Sequence, residues 1–290
     1  MELGAKELEL VLAVVRGGTL AEAGRRLGLD TSSVYRAVKR LERALGEPLF
    51  DRSRRGMAPS ELAQALAADA EAVEAALLTA RERVLGARAA LTGTLRITSN
   101  DVMLAGLLMP LLPAFRAAHP QLGLELLASN LLARLDRREA DVALRGTPRP
   151  PEHLVGVRLG TIRSALWASR DYLAQQAPGT DPAAMDWAVP DADPALAVYP
   201  SRRWRERRYP AVEPRIRCDG MLSVVHAVRS GLAIGVAPYF LMAGQDGLVD
   251  LSGPLPEVEV DCWLLTHPDM RHLRRVKAFF DHVRRGLVLP

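Results

Sequence analysis

A chain of 290 residues is long enough for two or three folding units. Its composition, with 49% hydrophobic and 25% charged residues, is typical of a globular protein. The formal net charge is only +4, so the position of the basic residues matters more than their number. Two cysteines are too few for a disulfide framework. An acidic start, in place of a basic signal region, and the absence of a run of about 20 apolar residues predict a cytoplasmic protein with no membrane segment.

The first sixty residues predict three helices followed by a basic hairpin over Phe50–Pro59. Apolar residues at helical spacing indicate the first helix, which Gly17 and Gly18 end. Two more helices are predicted over Leu20–Leu27 and Ser32–Leu45, each ended by glycine. Their candidate N-terminal caps are Thr19 for the former and Asp30 or Thr31 for the latter. Two short helices joined by a glycine turn are typical of a helix-turn-helix.

The third predicted helix has the residue order that a DNA-recognition helix needs. Its apolar positions face inward, so the opposite face begins with small polar residues and continues with basic ones. Nine basic and four acidic residues lie between Arg25 and Arg55, a larger surplus than that of the whole chain. The alternative is an ordinary solvated helix face. The predicted DNA-contacting residues are Arg25, Thr31, Ser32, Ser33, Tyr35, Arg36, Lys39, Arg40, Arg52, Arg54 and Arg55.

A long alanine-rich helix is predicted over Ser60–Leu91. Apolar residues alternate at spacings of three and four, which is an a/d heptad pattern and predicts pairing with a second copy of the chain as a dimer or tetramer. The alternative is an amphipathic helix that packs on its own domain. The residues predicted for the seam between subunits are Leu66, Ala70, Val73, Leu77, Ala80 and Val84.

From Thr92 onward, short strands alternate with helices, which predicts a mainly parallel sheet covered on both faces. The predicted strands are Leu95–Thr98, Leu124–Ala128, Asp141–Leu144, Ser164–Ala168, Arg215–Cys218, Ile234–Ala237 and Val258–Thr266, and the predicted helices are Met103–Ala118 and about His272–Gly286.

Three N-terminal segments together resemble the signature of LysR-type transcriptional regulators: Thr19–Leu27, Val34–Glu42 and Leu45–Arg52. The run Leu-Gly-Glu-Pro-Leu-Phe-Asp-Arg follows Arg-Leu-Glu at the spacing of that family. The chain departs from the family at Asp30–Arg36, where Ser-Gln-Pro-Ala-Val-Ser-Arg is usual, and at Pro59–Ala63, where Leu-Thr-Glu-Ala-Gly is usual. Thr31, Ser32 and Tyr35 therefore put the operator sequence in question, although not the fold.

The resemblance extends more loosely over the rest of the chain, for example at Asp141–Arg145 and Gly231–Pro238. It implies a C-terminal α/β domain of two lobes, like a periplasmic binding protein, with crossovers near Arg163–Ser169 and Leu264–Pro268. The implied domains are a winged helix-turn-helix at 1–59, a linker and dimerisation helix at 60–91, and an effector-binding domain at 92–290. Lobe one would comprise about 92–163 and 267–290, and lobe two about 164–266.

Polar residues follow several predicted strands, and open parallel sheets bind ligands at that edge. Arg145 is the strongest candidate because an arginine at a strand end can pair with a carboxylate; for Ser99, Asn130 and Asp219, capping of the next helix is the alternative. We therefore expect a small carboxylate-bearing effector. The predicted effector-binding residues are Ser99, Asn100, Asp101, Asn130, Arg145, Gly146, Asp219, Gly220 and Ala237.

The sequence thus predicts a DNA-binding transcription regulator, not an enzyme, that recognises a promoter and responds to a small molecule. The family usually activates promoters and often represses its own genes. A constitutive DNA binder with a non-functional cleft and a small-molecule binding protein remain alternatives. Arg202–Arg208 is expected to be a solvated helix or subunit contact more than a second nucleic-acid patch, and Cys218 and Cys262 buried thiols more than a redox switch. No cofactor is expected, and the histidines show no metal-ligand spacing.

Overall fold

The computed structural model describes residues 3–53, 56–85, 90–128, 140–190 and 199–290 of the chain. The chain divides into two units, Met1–Ala89 and Ala90–Pro290, each with buried apolar clusters of its own. The first is a helix-turn-helix with a two-stranded wing and a long helix, and the second is a two-lobed α/β unit. This architecture confirms the predicted fold class.

The N-terminal unit follows the predicted order of helices and hairpin. The side chains of Thr19 and Asp30 accept hydrogen bonds from the backbone N–H groups of Glu22 and Ser33, so Asp30, and not Thr31, caps the third helix. The two wing strands pair as an antiparallel hairpin. The elements are α1 (Ala5–Gly17), α2 (Leu20–Leu27), α3 (Thr31–Leu45), β1 (Phe50–Ser53), β2 (Gly56–Pro59) and α4 (Glu61–Leu85).

The turn between α2 and α3 is fixed by a close approach of backbone to backbone. A Cβ added to Gly24 would lie 2.6 Å from the carbonyl oxygen of Leu29, so a side chain at Gly24 would force the turn apart. Val34, Val38 and Leu41 point from α3 into the shared core. The inward face of α3 is therefore the one that the helical spacing predicts.

The helix α4 corrects part of the predicted seam between subunits. Leu66 and Ala70 are buried within the core of their own unit, where α4 packs against α1. Arg16 of α1 also forms ion pairs with Glu71 at 3.2 Å and Glu74 at 3.0 Å on α4. The first half of α4 thus fits the alternative of a helix packed on its own domain, because the apolar stripe is used there by α1.

The second half of α4 has a different environment. The side chains of Val73 and Leu77 are 37% and 53% exposed, and Ala80 is exposed as well. The side chain of Val84 and residues 86–89 lie outside the described part of the chain. Exposed apolar residues at heptad spacing remain available for a partner helix, so the subunit seam stays a prediction for this half.

The C-terminal unit contains a five-stranded sheet in lobe one, of order β4-β3-β5-β12-β6, and smaller sheets in lobe two, of orders β10-β7-β11 and β8-β9. The strands are β3 (Gly93–Ser99), β4 (Leu122–Ala128), β5 (Val142–Gly146), β6 (Val155–Ile162), β7 (Ser164–Ser169), β8 (Ala188–Val189), β9 (Ile216–Arg217), β10 (Gly235–Pro238), β11 (Leu248–Asp250) and β12 (Val260–Thr266). The α-helices are α5 (Asp101–Met103), α6 (Leu112–Ala118), α7 (Arg170–Leu173), α8 (Pro200–Arg208), α9 (Met221–Arg229), α10 (Tyr239–Met242) and α11 (Arg274–Gly286).

The sheet of lobe one is mixed, unlike the mainly parallel sheet that was expected. β3 runs parallel to β4 and β5, whereas β12 runs antiparallel to β5 and β6. The chain first crosses between lobes at Arg163, within the predicted range. It returns before Val260, so the predicted crossover near Leu264–Pro268 and the assignment of that strand to lobe two are wrong. β12 belongs to lobe one because its backbone pairs there along its whole length.

One predicted helix differs, and three strands, β6, β8 and β11, were not predicted. The helix predicted over Met103–Ala118 is interrupted: α5 continues as a π-helix over Leu104–Leu108, and α6 starts after a turn. Pro110 lies in that turn, and a proline supplies no N–H for helical hydrogen bonding. β6 was not predicted, because its residues carry two glycines and an exposed arginine among the apolar ones.

Candidate functional site

The start of α3 is a network of hydrogen bonds around one carboxylate. Asp30 accepts from the Ser33 N–H at 2.8 Å and the Ser33 hydroxyl at 2.6 Å, and the Ser32 hydroxyl also donates to it. The hydrogen bonds from Ser32 and then Ser33 hold the pKa of Asp30 well below its usual range. The hydroxyl protons of both serines are therefore engaged, and their oxygens remain as acceptors at the first turn of the helix.

The outward face of α3 carries the predicted basic residues at the surface. Tyr35 is half-exposed, and Arg36 and Arg40 are exposed. Arg36 donates to the Ser33 hydroxyl at 3.1 Å, whereas the described residues offer Arg40 no ion-pair partner. Thr31 is exposed at the first position of α3. The remaining basic members have partners within the chain or lie outside the described residues. Arg25 pairs with Glu22, Lys39 pairs with Glu42, the side chain of Arg52 is not described, and Arg54 and Arg55 fall in the gap at 54–55.

A buried acid that we did not single out from the sequence fixes α3 against the wing. Glu42 is 7% exposed, and one of its oxygens accepts from the backbone N–H groups of Leu49 at 2.9 Å and Phe50 at 3.2 Å. Its other oxygen accepts from Lys39 at 2.7 Å. Burial raises the pKa of Glu42, but the hydrogen bonds from Lys39, Leu49 and Phe50 outweigh it and hold the pKa below its usual value. The signal in the sequence was an acid next to the inward-facing Leu41.

In the C-terminal unit, the predicted strand-end residues meet at one edge of lobe one. Ser99 and Leu144 are in register on the parallel strands β3 and β5. The hydroxyl of Ser99 is fully buried and donates to the Leu144 carbonyl at 3.0 Å. Asn100 accepts from the Met103 N–H at 2.8 Å and so caps α5. Asn100, and not Ser99, therefore caps the helix that follows, so the capping role held open for Ser99 is wrong. The Ser99 hydroxyl instead bonds to the neighbouring strand.

Arg145 is pinned to the same edge. Its side chain is 5% exposed and donates to the Thr98 hydroxyl at 2.9 Å and to the Leu144 carbonyl at 3.3 Å. Thr98 in turn donates to the Leu127 carbonyl of β4 at 3.2 Å. Gly146 follows Arg145, and a Cβ there would meet Val260 at 3.2 Å. The guanidinium is thus a fixed positive charge at the carboxyl end of β5.

Asp101 connects the two lobes. Its carboxylate accepts from the Leu222 N–H, in the first turn of α9, at 3.3 Å. A Cβ added to Gly220 would lie 2.7 Å from the same carboxylate, so a side chain at the N-cap of α9 would displace the Asp101 carboxylate from its present position. The positive N-terminal end of α9 is therefore occupied by a carboxylate of the chain itself.

Tyr199, which the sequence did not indicate, joins this site. Burial, together with the Asp101 carboxylate, raises the pKa of its phenol to about 12, and the Arg145 guanidinium opposes the rise. Both charges therefore act on one phenol that stays protonated. The Tyr199-Pro200 pair at the start of α8 was the available signal. We call Asp101, Arg145 and Tyr199 the cleft cluster.

The other predicted effector residues lie elsewhere. Asp219 is exposed and accepts from the Ser223 hydroxyl at 3.5 Å. Ala237 is buried in lobe two, where its carbonyl accepts from the Trp167 indole at 3.1 Å. Asn130 lies outside the described residues. Of the predicted set, the structure therefore brings together three residues. Asp101 lies against Gly220, and Asp101 and Arg145 both act on Tyr199.

Comparison with models of known protein families shows which family the chain belongs to. The LysR substrate binding domain matches residues 88–288, and the bacterial regulatory helix-turn-helix of the lysR family matches residues 5–64. The chain belongs to the LysR family of transcriptional regulators. The family signature that the N-terminal segments resemble, and the two-lobed domain that it implied, are thereby confirmed.

LysR-family relatives agree over different lengths. The chain is 27% identical to the probable HTH-type transcriptional regulator LtrA of Klebsiella pneumoniae over 96% of this chain and 93% of LtrA. It is 30% identical to the HTH-type transcriptional regulator CrgA of Neisseria meningitidis over 60% of this chain, a match that spans only 58% of CrgA. These relatives are transcriptional regulators, as predicted, and not enzymes.

The fold is shared with solved LysR-type structures. One is full-length LTTR LysG from Corynebacterium glutamicum with bound effector Arg. It superposes with a TM-score of 0.67 at 21% identity and covers 98% of this chain and 99% of LysG.

Two features outside the LysR signature can also be placed. Trp204 is buried and packs against Trp187 and Tyr209, and Arg205 donates to the Val212 carbonyl at 2.9 Å, so this tryptophan is core and cannot stack on a base. Cys262 is fully buried, and burial raises the pKa of its thiol to about 12. A thiol that stays protonated is a poor nucleophile, which agrees with a structural cysteine.

The described residues contain no single helix long and apolar enough to span a bilayer. Only the pair Asp101–Leu108 and Leu112–Ala118, two segments bent by 63° relative to each other, reaches that length and apolarity together.

Proposed function

We propose that this LysR-family protein reads a specific operator with α3 and that a small carboxylate-bearing effector, bound beside the cleft cluster, modulates this reading. The observation that carries the proposal is the outward face of α3. The first turn of this face presents the acceptor oxygens of the serines bonded to Asp30, and the exposed side chains of Arg36 and Arg40 follow. On the opposite side of the helix, buried Glu42 holds α3 against the wing. Because its partner is promoter DNA, the protein would act in the cytoplasm.

The serine oxygens support a particular kind of base recognition. Their protons are held by Asp30, so Ser32 and Ser33 would accept hydrogen bonds, and adenine N6 and cytosine N4 are the donors that the major groove offers. Arg36 and Arg40 would donate to guanine or to phosphate. Thr31 and Tyr35 would lie against base edges as well. The phosphate contacts are assigned to the remaining basic residues, Arg25, Lys39, Arg52, Arg54 and Arg55.

The cleft cluster supports an effector with two kinds of polar group. Arg145 supplies a fixed positive charge and Tyr199 a protonated hydroxyl, which suit a carboxylate. Asp101 suits an amino or hydroxyl group on the same molecule. LysG, which has the same fold, is described with bound effector Arg, a molecule with both kinds of group. Ser99, Asn100, Gly146 and Gly220 would then shape the cleft, mostly through backbone groups.

The exposed half of α4 supports assembly into a dimer or tetramer. Val73, Leu77 and Ala80 would pack against the same residues of a second copy. Two copies would place two α3 helices on two half-sites of an operator.

The DNA proposal is tested with Arg36→Ala against Lys6→Ala, a matched loss of one exposed positive charge on α1. The intergenic DNA beside the protein's own gene serves as probe, at several salt concentrations. We expect Arg36→Ala to weaken binding by roughly 1–3 kcal/mol and Lys6→Ala to leave it unchanged. Equal affinities for the two variants would contradict the placement of α3 on DNA.

The effector proposal is tested by calorimetry with arginine, aspartate, malate and benzoate, and with putrescine as a dication without a carboxylate. We expect acids with an amino or hydroxyl group to bind and putrescine not to bind. Arg145→Lys should weaken the best acid, whereas Arg149→Lys, at an exposed position outside the cleft cluster, should not. Preference for putrescine would contradict a carboxylate effector, and a protein that binds DNA but none of these molecules would support a constitutive DNA binder.

A further inference from the structure

Lobe one carries a groove that neither DNA recognition nor the cleft cluster uses. It has a volume of about 380 Å³ and lies between the start of β6, the end of β12 and one side of α11. Thr266 at the groove pairs with Val142, whereas Arg145 at the cleft pairs with Trp263. Because β5 runs from Val142 toward Arg145, the groove and the cleft lie at opposite ends of the sheet, about 10 Å apart along the strand. We call this cavity the lobe-one groove.

The walls of the groove are held rigidly. The guanidinium of Arg275, at the start of α11, lies 3.5 Å from the Asp141 carboxylate, and both side chains are buried. Phe279, farther along α11, packs edge-on against Phe115 with ring centroids 5.2 Å apart. On the other side, β6 is paired with β12 from Val155 to Ile162. The groove is therefore preformed, as small-molecule sites usually are.

The lining of the groove combines apolar surface with positive charge. Val155, Val157 and Phe280 are partly exposed and form apolar surface, and Val276 lies behind them. Exposed Arg271, Lys277 and Arg284 surround it, against one acid, Asp281. None of the described acids forms an ion pair with Lys277 or Arg284. Basic residues alone would be a solvated helix face, but basic residues around an apolar concavity match an amphipathic anion.

We propose that the lobe-one groove binds a small organic anion with an apolar body, at a site separate from the effector cleft. The apolar part packs on Val155, Val157 and Phe280, and the acid group lies between Lys277 and Arg284. These two bases stand seven positions apart, two turns of α11, and so project from one face of the helix. The groove is near the lower limit of ligand pockets, which suits a molecule of about ten non-hydrogen atoms.

Binding of octanoate to the full-length protein is measured by calorimetry. Octylammonium keeps the apolar chain without the negative charge, and acetate keeps the negative charge without the chain. We expect octanoate to bind and the other two to bind at least about tenfold more weakly. Lys277→Glu with Arg284→Glu should weaken octanoate by at least about tenfold, whereas Arg285→Glu, an exposed neighbour outside the lining, should change it less than about twofold. Asp281→Asn should tighten binding.

Three results would overturn the proposal. These are the absence of octanoate binding, unchanged binding in the double variant, and an equal loss in Arg285→Glu, which would mean that only overall charge matters. Loss of octanoate binding in Arg145→Lys would place the molecule in the cleft and would also refute a separate site. Thermal melts establish that the variants are folded, and Lys277→Gln with Arg284→Gln replaces the double reversal if that variant does not fold.

Discussion

The recognition helix and the effector cleft were both predicted from polar and basic residues, yet these side chains are exposed on the helix and buried in the cleft. On α3, Tyr35, Arg36 and Arg40 remain at the surface. In the cleft, Ser99 and Arg145 are buried and hydrogen-bonded to their own sheet. Helical spacing fixes which way a side chain points, whereas a position at the end of a strand leaves open whether a polar group meets a ligand or a neighbouring backbone group.

The largest effect is expected where the recognition helix depends on a buried charge. Glu42→Ala should lower the free energy of unfolding of the N-terminal unit by roughly 3 kcal/mol, because it leaves the N–H groups of Leu49 and Phe50 buried without their acceptor. Urea denaturation gives the value, and exposed Glu47→Ala is the control. A loss as small as that of Glu47→Ala would mean that α3 is held by apolar packing alone.

The same carboxylate predicts a pH dependence. The pKa of Glu42 is lower in the folded protein than in the unfolded chain, so its stabilisation is complete above the unfolded pKa of about 4.3 and is lost as the pH falls through the folded value. The difference in urea midpoint between wild type and Glu42→Gln should therefore shrink in acid.

The two halves of α4 supply the next test. Val73→Asp with Leu77→Asp should give folded monomers that bind an operator with two half-sites at least about tenfold more weakly. This is because the two DNA-binding units are then no longer linked. Leu66→Ala should instead destabilise the unit by about 2–4 kcal/mol and leave the subunits associated. Sedimentation and thermal melts separate the two effects, and exposed Ala65→Asp is the control. A double variant that stays dimeric would refute the seam.

A smaller effect is expected at the tyrosine of the cleft cluster. Tyr199→Phe removes one hydroxyl and should weaken the best acid from the calorimetric panel by about 1 kcal/mol, roughly fivefold, with an unchanged melting temperature. Tyr209→Phe, at a half-buried position packed against the core of lobe two, is the matched control. If Tyr199→Phe lowers stability but not affinity, the phenol stabilises the fold and does not contact the ligand. The cleft would then differ from α3 at this residue too.

The smallest effect on ligand affinity, no change at all, is expected at Ser99, whose hydroxyl is bonded within the sheet. Because the Ser99 hydroxyl donates to the buried Leu144 carbonyl, Ser99→Ala should lower the free energy of unfolding by about 1 kcal/mol and leave the affinity for the same acid unchanged. Calorimetry and denaturation on one preparation decide this. A selective loss of affinity would restore Ser99 to the ligand site.

Local rules accounted for more of the N-terminal unit than of the C-terminal one. The caps at Thr19 and Asp30 and the inward face of α3 follow from a few adjacent residues, and the structure has them where predicted. The lobe membership of β12 depends on its pairing with β5 and β6. Both strands are distant along the chain, and the periodicity of a segment does not show which distant strand it pairs with. Tyr199 was missed for the same reason, since only the folded cleft brings it to Asp101 and Arg145.

The contact of Asp101 with α9 has a consequence for the concentrations to which the protein can respond. A group tethered within the same chain acts like a ligand present at roughly millimolar concentration or above. A soluble acid that used the Leu222 N–H would first have to displace Asp101 from it. Competition with this internal anion would raise the threshold of the response, so that abundant metabolites could trigger it while traces of the same acid would leave the cleft unchanged.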